Sequence, residues 1–421
     1  VTGTTAAPAA PAAGEADPDR ELSCAEALVA GLLAAGVTEL FGIAGGKFAK
    51  LLKAVDAEPR LRFVGVRHEA AAAFMATAVA HRTGKLAACV AEMGPGALNL
   101  ASGLDTAATN HLPVLALTVG SPARLSGPGH GQTMELDTPG VFGAIVKWRA
   151  TLARPERTAE ILARGVREAL SGAPGPVHLE LDYDIFDAPV AVRAGALAAV
   201  AAATVLGRAP ADPALVARAA ALLREARRPL LIAGGGTLEA SEPVRALADL
   251  LHAAVLTTQM GIGVLGDADP ALVGQGGVVF GDSVLRALRE ADVVLAAGCR
   301  FSSWLWDGAE VAGAGSDGQQ LVHLDLDPTR IGRLRPAAVP LVGDAGAVLE
   351  QLAEAIGAPP NAADPEWRAG LRDEHLAYLE EVRTLGAEPR DPMHPAQLAR
   401  AIGEALPDGA LVVYDGAHTS F

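Results

Sequence analysis

Short apolar runs alternate with helix-prone runs along most of this chain, and many of the junctions between them carry glycine. The clearest unit spans residues 61–82. A β-like run over 61–66 gives way through Arg67 and His68 to Glu69, which opens the run Ala70-Ala71-Ala72-Ala73-Phe74. Phe41-Gly42-Ile43-Ala44-Gly45-Gly46 stands before it and Gly94-Pro95-Gly96-Ala97-Leu98-Asn99 after it. Alternation of this kind implies right-handed crossovers and a parallel sheet with helices on both faces. A carboxylate at a strand-to-helix junction sits at the carboxyl edge of such a sheet, where α/β proteins bind ligands. It also sits at a helix N-terminus, where negative charge is favoured. Acids are common at any helix start, so Glu69 gains weight only from the glycine segments around it.

The pattern sets the expected fold class as α/β, with two doubly wound parallel-sheet domains and the start of a third. Residues 1–20, rich in Ala, Pro and Thr, read as a disordered tail. The first domain is expected over 21–190. Its first helix is announced by a capping box, Ser23 with Glu26 three residues on. Residues 188–212 read as a Pro- and Ala-rich connector, followed by about two helices' worth of alanine and arginine up to Arg227. The second domain is expected over 210–357, and 358–421 is expected to hold a linker and the beginning of a third domain, including a strand from 410 to 414. A very short strand at 341–342, preceded by Pro340, suits a sheet edge.

Composition narrows the function classes. Among 421 residues half are hydrophobic and 4% aromatic, so the cores must be aliphatic and alanine-rich. The formal net charge of −15 argues against a nucleic-acid partner, which requires a basic surface. No basic run suggests an anionic membrane surface, and no stretch of about 20 apolar residues suggests a span. The three cysteines, Cys24, Cys89 and Cys299, are far apart and form no pair that would hold zinc or a disulfide framework. A cytoplasmic setting fits this usage. His68-Glu69 lacks the second histidine of a zinc-protease helix. The Gly234-Gly235-Gly236 turn is too short for the dinucleotide fingerprint.

Taken in order, the segments resemble a known family. Phe41 to Gly46 is followed by Arg67-His68-Glu69, by Gly94-Pro95-Gly96-Ala97 with Asn99, by Gln132 with Glu135-Leu136-Asp137, and by Gly175-Pro176-Val177-His178-Leu179. This order resembles the pyrimidine-binding domain of thiamin-diphosphate enzymes of the acetolactate synthase type. Ala233-Gly234-Gly235-Gly236, Thr257-Thr258 with Met260-Gly261, Gly298-Cys299-Arg300-Phe301-Ser302 and His323-Leu324-Asp325-Leu326-Asp327-Pro328 resemble that family's central domain. The resemblance covers about residues 21–356.

The resemblance implies thiamin-diphosphate-dependent decarboxylation or carboligation of a 2-keto acid. Glu69 would be the catalytic carboxyl at the aminopyrimidine ring. Gly45, Gly46, Pro95, Gly96, Asn99 and Gln132 would lie around the cofactor, with Met134 competing for the position of Gln132. Lys47 and Phe48 stand where acetolactate synthases carry small apolar residues, and they point to a different substrate pocket. FAD, bound by some members, would fall to Gly235, Gly236, Arg300 and Asp325; Trp304 and Trp306 depart from the acetolactate synthase pattern. The family holds the diphosphate through Mg²⁺ with Gly-Asp-Gly and a downstream Asn. Only Asn99, Asn110 and Asn361 occur here, none at that spacing from Gly266-Asp267, Gly281-Asp282 or Gly343-Asp344. No metal ligands are therefore expected in this chain. A complementary diphosphate-binding polypeptide is expected to complete a dimer or tetramer of such pairs. The rival expectation is a non-catalytic scaffold or regulatory subunit that keeps the fold.

Overall fold

A computed structural model describes residues 20–122, 125, 131–193, 195–277, 281–302, 305, 318–359 and 362–413. It divides into two units, Val1–Gly207 and Arg208–Phe421.

The first unit contains β1 (Arg20–Ser23), α1 (Cys24–Ala34), β2 (Glu39–Gly42), α2 (Ala49–Asp56), β3 (Arg62–Gly65) and α3 (Glu69–Thr83). Then come β4 (Ala87–Glu92), α4 (Pro95–Asn99), α5 (Ala101–Thr109), β5 (Val114–Val119), α6 (Thr138–Phe142) and β6 (Trp148–Leu152). It closes with α7 (Thr158–Leu170), β7 (Val177–Leu181), β8 (Pro189–Val192) and α8 (Ala196–Ala202). Six strands form one parallel sheet in the order β3-β2-β4-β5-β7-β6. The chain leaves β2 toward β3 and then crosses back to β4, so the winding reverses between β2 and β4. The carboxyl ends of those two strands diverge into loops and open a crevice.

Strand alternation assigns the two faces. Ala88 and Val90 of β4 join the core under α1, α2 and α7, while Ala87, Cys89 and Ala91 join the core under α3 and α5. The Ser23–Glu26 capping box forms as expected, and α3 ends on Gly84 in the left-handed conformation. On α3 the buried residues are Ala72, Ala73, Ala76, Thr77 and Ala80, a helical stripe of small side chains. Gly103 of α5 meets that stripe so closely that a Cβ there would collide with the Cβ of Ala73. Thr77 Oγ1 donates to the Ala73 carbonyl at 2.8 Å and lies 3.2 Å from the Gly103 carbonyl.

The second unit contains α9 (Pro213–Glu225), β9 (Pro229–Ala233), α10 (Ser241–Leu251), β10 (Ala254–Thr257), β11 (Leu272–Gln275) and α11 (Asp282–Glu290). It continues with β12 (Val293–Ala297), β13 (Gln320–Asp325), β14 (Val339–Val342), α12 (Ala345–Ile356), α13 (Pro365–Ala387) and α14 (Pro395–Ala405). Its parallel sheet runs β11-β10-β9-β12-β13-β14. That is the doubly wound order of a dinucleotide-binding sheet, with its reversal between β9 and β12.

Several expectations need correction. Residues 188–204 are not a bare connector, because β8 pairs antiparallel with β1 and α8 buries Val200 in the first core. One helix, α9, fills the alanine- and arginine-rich stretch. β11 was not anticipated: Gly274 interrupts its apolar run and leaves no alternation to read. Residues 365–387 form a helix, as their sequence suggests, and part of it is buried. In α13, Leu371 is fully buried and Trp367 nearly so in the second core, and the Trp367 indole donates to Glu290. No strand forms over 410–413, and Tyr414 lies outside the described residues, as do Trp304 and Trp306.

Gly103→Ala is expected to cost about 1–3 kcal/mol by forcing α3 and α5 apart, measured as a lower denaturation midpoint of the first unit. Gly403→Ala, made in α14 where nothing lies within 4 Å of the added carbon, should cause no loss. Equal midpoints for Gly103→Ala and the parent chain would contradict the close helix approach.

Candidate active site

The crevice between β2 and β4 gathers three loops. His68 caps α3, its Nδ1 accepting from the Ala70 amide at 3.2 Å, so Glu69 becomes the first residue of the helix. From there its half-buried carboxylate reaches the Gly94-Pro95-Gly96 turn after β4. Asn99 Nδ2 donates to Glu69 Oε2 at 3.0 Å. The other oxygen, Oε1, lies 3.1 Å from where a Cβ on Gly96 would stand. Glycine at 96 therefore leaves Oε1 room, and Oε1 takes no hydrogen bond from any described residue. Gly94 adopts φ +70°, and a Cβ on it would come within 2.7 Å of Met134.

The other wall is the turn after β2. A Cβ on Gly45 would collide with the Glu92 side chain, and the Lys47 backbone amide donates to Glu92 Oε1 at 2.6 Å. The Lys47 ammonium donates to the Met93 sulfur at 2.7 Å. Residues 92–96 of the single loop leaving β4 thus touch both walls. Gly46 has open space around it.

The structure brings together Glu69, Gly96 and Asn99, and around the same loop Gly45 and Lys47. It separates two other candidates from them. Phe48 is fully buried in the first unit's core, where its ring is the apolar anchor of the turn into α2. The Gln132 amide turns to the Leu125 carbonyl at 3.5 Å, and Met134 is the loop residue packed on the Gly94 turn. Glu92 and Met93 were missed by sequence reasoning. Their position just before Gly94 at a strand end was the available signal.

Gly235, Gly236, Arg300 and Asp325 lie in the second unit, at its own reversal point. There the glycines serve packing within the chain. Gly298 has φ +55°, and a Cβ on it would lie 2.6 Å from Gly236 Cα; a Cβ on Gly235 would come 3.1 Å from that of Met260. Asp325 Oδ1 accepts from the Asp327 amide at 2.8 Å. Burial and the nearby Arg330 push the Arg300 pKa down, against Asp325, which raises it. Among the described residues no cluster of three or more His, Cys, Asp or Glu could hold a metal ion.

Protein-family comparison matches residues 22–141 to the N-terminal TPP binding domain of thiamine pyrophosphate enzymes and residues 216–352 to their central domain. The chain belongs to the thiamine pyrophosphate enzyme family. The probable acetolactate synthase large subunit of Methanocaldococcus jannaschii is 34% identical over 79% of this chain and 56% of its own length. Acetolactate synthase isozyme 1 large subunit of Escherichia coli K12 is 29% identical over 94% of this chain and 67% of its own. Sulfoacetaldehyde acetyltransferase of Rhodobacter capsulatus is 30% identical over 93% and 68%. The chain thus spans roughly half to two thirds of the length of these relatives. No helix among its described residues is long and apolar enough to cross a membrane.

A second acidic group marks the end of β7. Glu180 and Asp182 are both buried, and Asp182 Oδ2 has no hydrogen-bond partner among the described residues. Burial, then Asp182 and Asp137, raise the Glu180 pKa to about 7. Burial, then Asp184, raise that of Asp182 to about 6. Burial, then Arg149, push His178 down to about 3, and its Nε2 pairs with Thr118 Oγ1 at 2.7 Å. Because the Glu180 pKa is higher folded than its ordinary 4.5, its stabilising proton is fully present below 4.5 and lost as pH rises through about 7. Glu180→Gln is therefore expected to gain stability over the parent chain as pH rises from 5 to 8, read from paired denaturation midpoints. A difference that stays constant across that range would contradict it.

Proposed function

We propose that this chain supplies the pyrimidine-side half of a thiamin-diphosphate active site that decarboxylates a 2-keto acid and passes the remaining fragment to an acceptor. The observation that carries the reading is Glu69. One carboxylate oxygen is held by Asn99, and the other lies over a glycine with no donor among the described residues. That donor set fits an aminopyrimidine: Oε1 is available to a ring nitrogen, while Asn99 fixes the carboxyl's rotation. Bound there, thiamin diphosphate supplies the electron sink that lets a 2-keto acid lose carbon dioxide. The chain's own part is to hold the ring and to hold or move a proton at Glu69 Oε1. Gly45, Gly46, Pro95 and Gly96 keep the backbone low enough for a ring to approach.

In this reading the diphosphate and its Mg²⁺ fall to a complementary polypeptide or segment, in an oligomer of such pairs. FAD, where bound, would fall to Gly235, Gly236, Arg300 and Asp325 of the second unit. The relatives' names cover both acetolactate synthesis and acetyl transfer, so the acceptor is left open.

Glu69→Gln should lower turnover by about 10²–10⁴-fold in the assembled enzyme without lowering the amount of assembly recovered. Asn99→Ala should give a smaller loss, because it frees the carboxyl without removing it. Full turnover by Glu69→Gln would leave the scaffold reading standing instead.

A further inference from the structure

Lys47 has an unusual partner for a half-buried ammonium. Its Nζ donates to the thioether of Met93, a weak acceptor on a side chain that is itself 1% exposed. Glu92, the adjacent acid, instead spends Oε1 on the Lys47 backbone amide, and Lys47 forms no ion pair with any described residue. Its neighbours behave differently: Lys50, one turn on, is paired with Asp187. An ammonium carries three donors, so two of those on Lys47 have no acceptor among the described residues.

The position gives this cation a use. Lys47 follows Gly45 and Gly46 at the end of β2, and its sulfur partner belongs to the same short loop that carries Gly96 beneath Glu69. The β2 turn is pinned by the bond from its backbone to Glu92, so the stem of Lys47 starts from a fixed point. A cation anchored on the loop that also carries Gly96 favours negative charge on whatever binds beside it.

We propose that Lys47 is a specificity-determining residue that binds a second oxyanionic group, a carboxylate or a sulfonate, at the far end of the substrate. This rests on the reading of Glu69 above and adds the substrate class: a 2-keto acid or acceptor with a distal anion rather than a plain alkyl chain. Met93 presents the ammonium without neutralising it, as a carboxylate in its place would.

The test is calorimetric binding to the assembled enzyme of three probes: 2-oxoglutarate, 3-sulfopropionate and the uncharged-tail 2-oxopentanoate. Parent, Lys47→Met and Lys47→Arg proteins are compared, with thermal midpoints confirming that each is folded. A charge-assisted hydrogen bond corresponds to about 10–100-fold in affinity. Lys47→Met should lose that factor for one or both dianion-type probes while binding 2-oxopentanoate within about threefold of the parent, and Lys47→Arg should keep most of it. Loss for 2-oxoglutarate alone assigns a carboxylate, and loss for 3-sulfopropionate alone a sulfonate. Equal changes for all three probes, or no preference for an anionic tail in the parent, would overturn the proposal. Because binding needs no turnover, an active Glu69→Gln enzyme would sink the reading of Glu69 and leave this result to be judged separately.

Discussion

The hydrogen bond between Asn99 and Glu69 joins residues that follow two different strands, and it depends on how closely α3 and α5 approach. A stripe of alanines on α3 and Gly103 on α5 let the two helices pack nearly backbone to backbone. Larger side chains would widen the gap, and the short α4 that carries Asn99 would move away from the carboxylate. The alanine-rich composition, uninformative as a percentage, thus has a specific local purpose. It trades the burial of large side chains for precision in placing one carboxyl oxygen.

Two crevices of the same topological kind are used differently. In the first unit, the reversal between β2 and β4 is kept open: Gly46 has free space, and Glu69 Oε1 has no donor among the described residues. In the second, at the reversal between β9 and β12, Gly236 and Gly298 are in mutual contact. Both read in the sequence as glycine-rich turns after apolar strands. Only the packing around each glycine distinguishes one that makes room for a ligand from one that lets two backbones meet.

Much of the fold was legible because its signals are local. Alternating strands and helices, the Ser23–Glu26 box and the Gly84 stop are set by neighbours within a few residues. β1, β8 and β11 were not, since their pairing partners are distant and their runs are short or broken by glycine or proline. The structure brings Glu69, Gly96 and Asn99 together, as their order and spacing suggest. The place of Phe48 was not legible: an aromatic beside a glycine pair looks the same whether it lines a pocket or anchors a helix. The choice between Gln132 and Met134 was not legible, because a two-residue shift in a loop has no periodicity to correct it; in the structure Met134 is the one packed on the Gly94 turn. Glu92 and Met93 carry no motif of their own, and their importance comes only from what Lys47 touches.

The most direct measurement is an experimental structure of the assembled enzyme with thiamin diphosphate bound. The account predicts the pyrimidine N1′ at hydrogen-bond distance, about 3 Å, from Glu69 Oε1, with Oε2 still held by Asn99. A ring bound elsewhere, or Glu69 turned away from it toward solvent, would contradict the central claim.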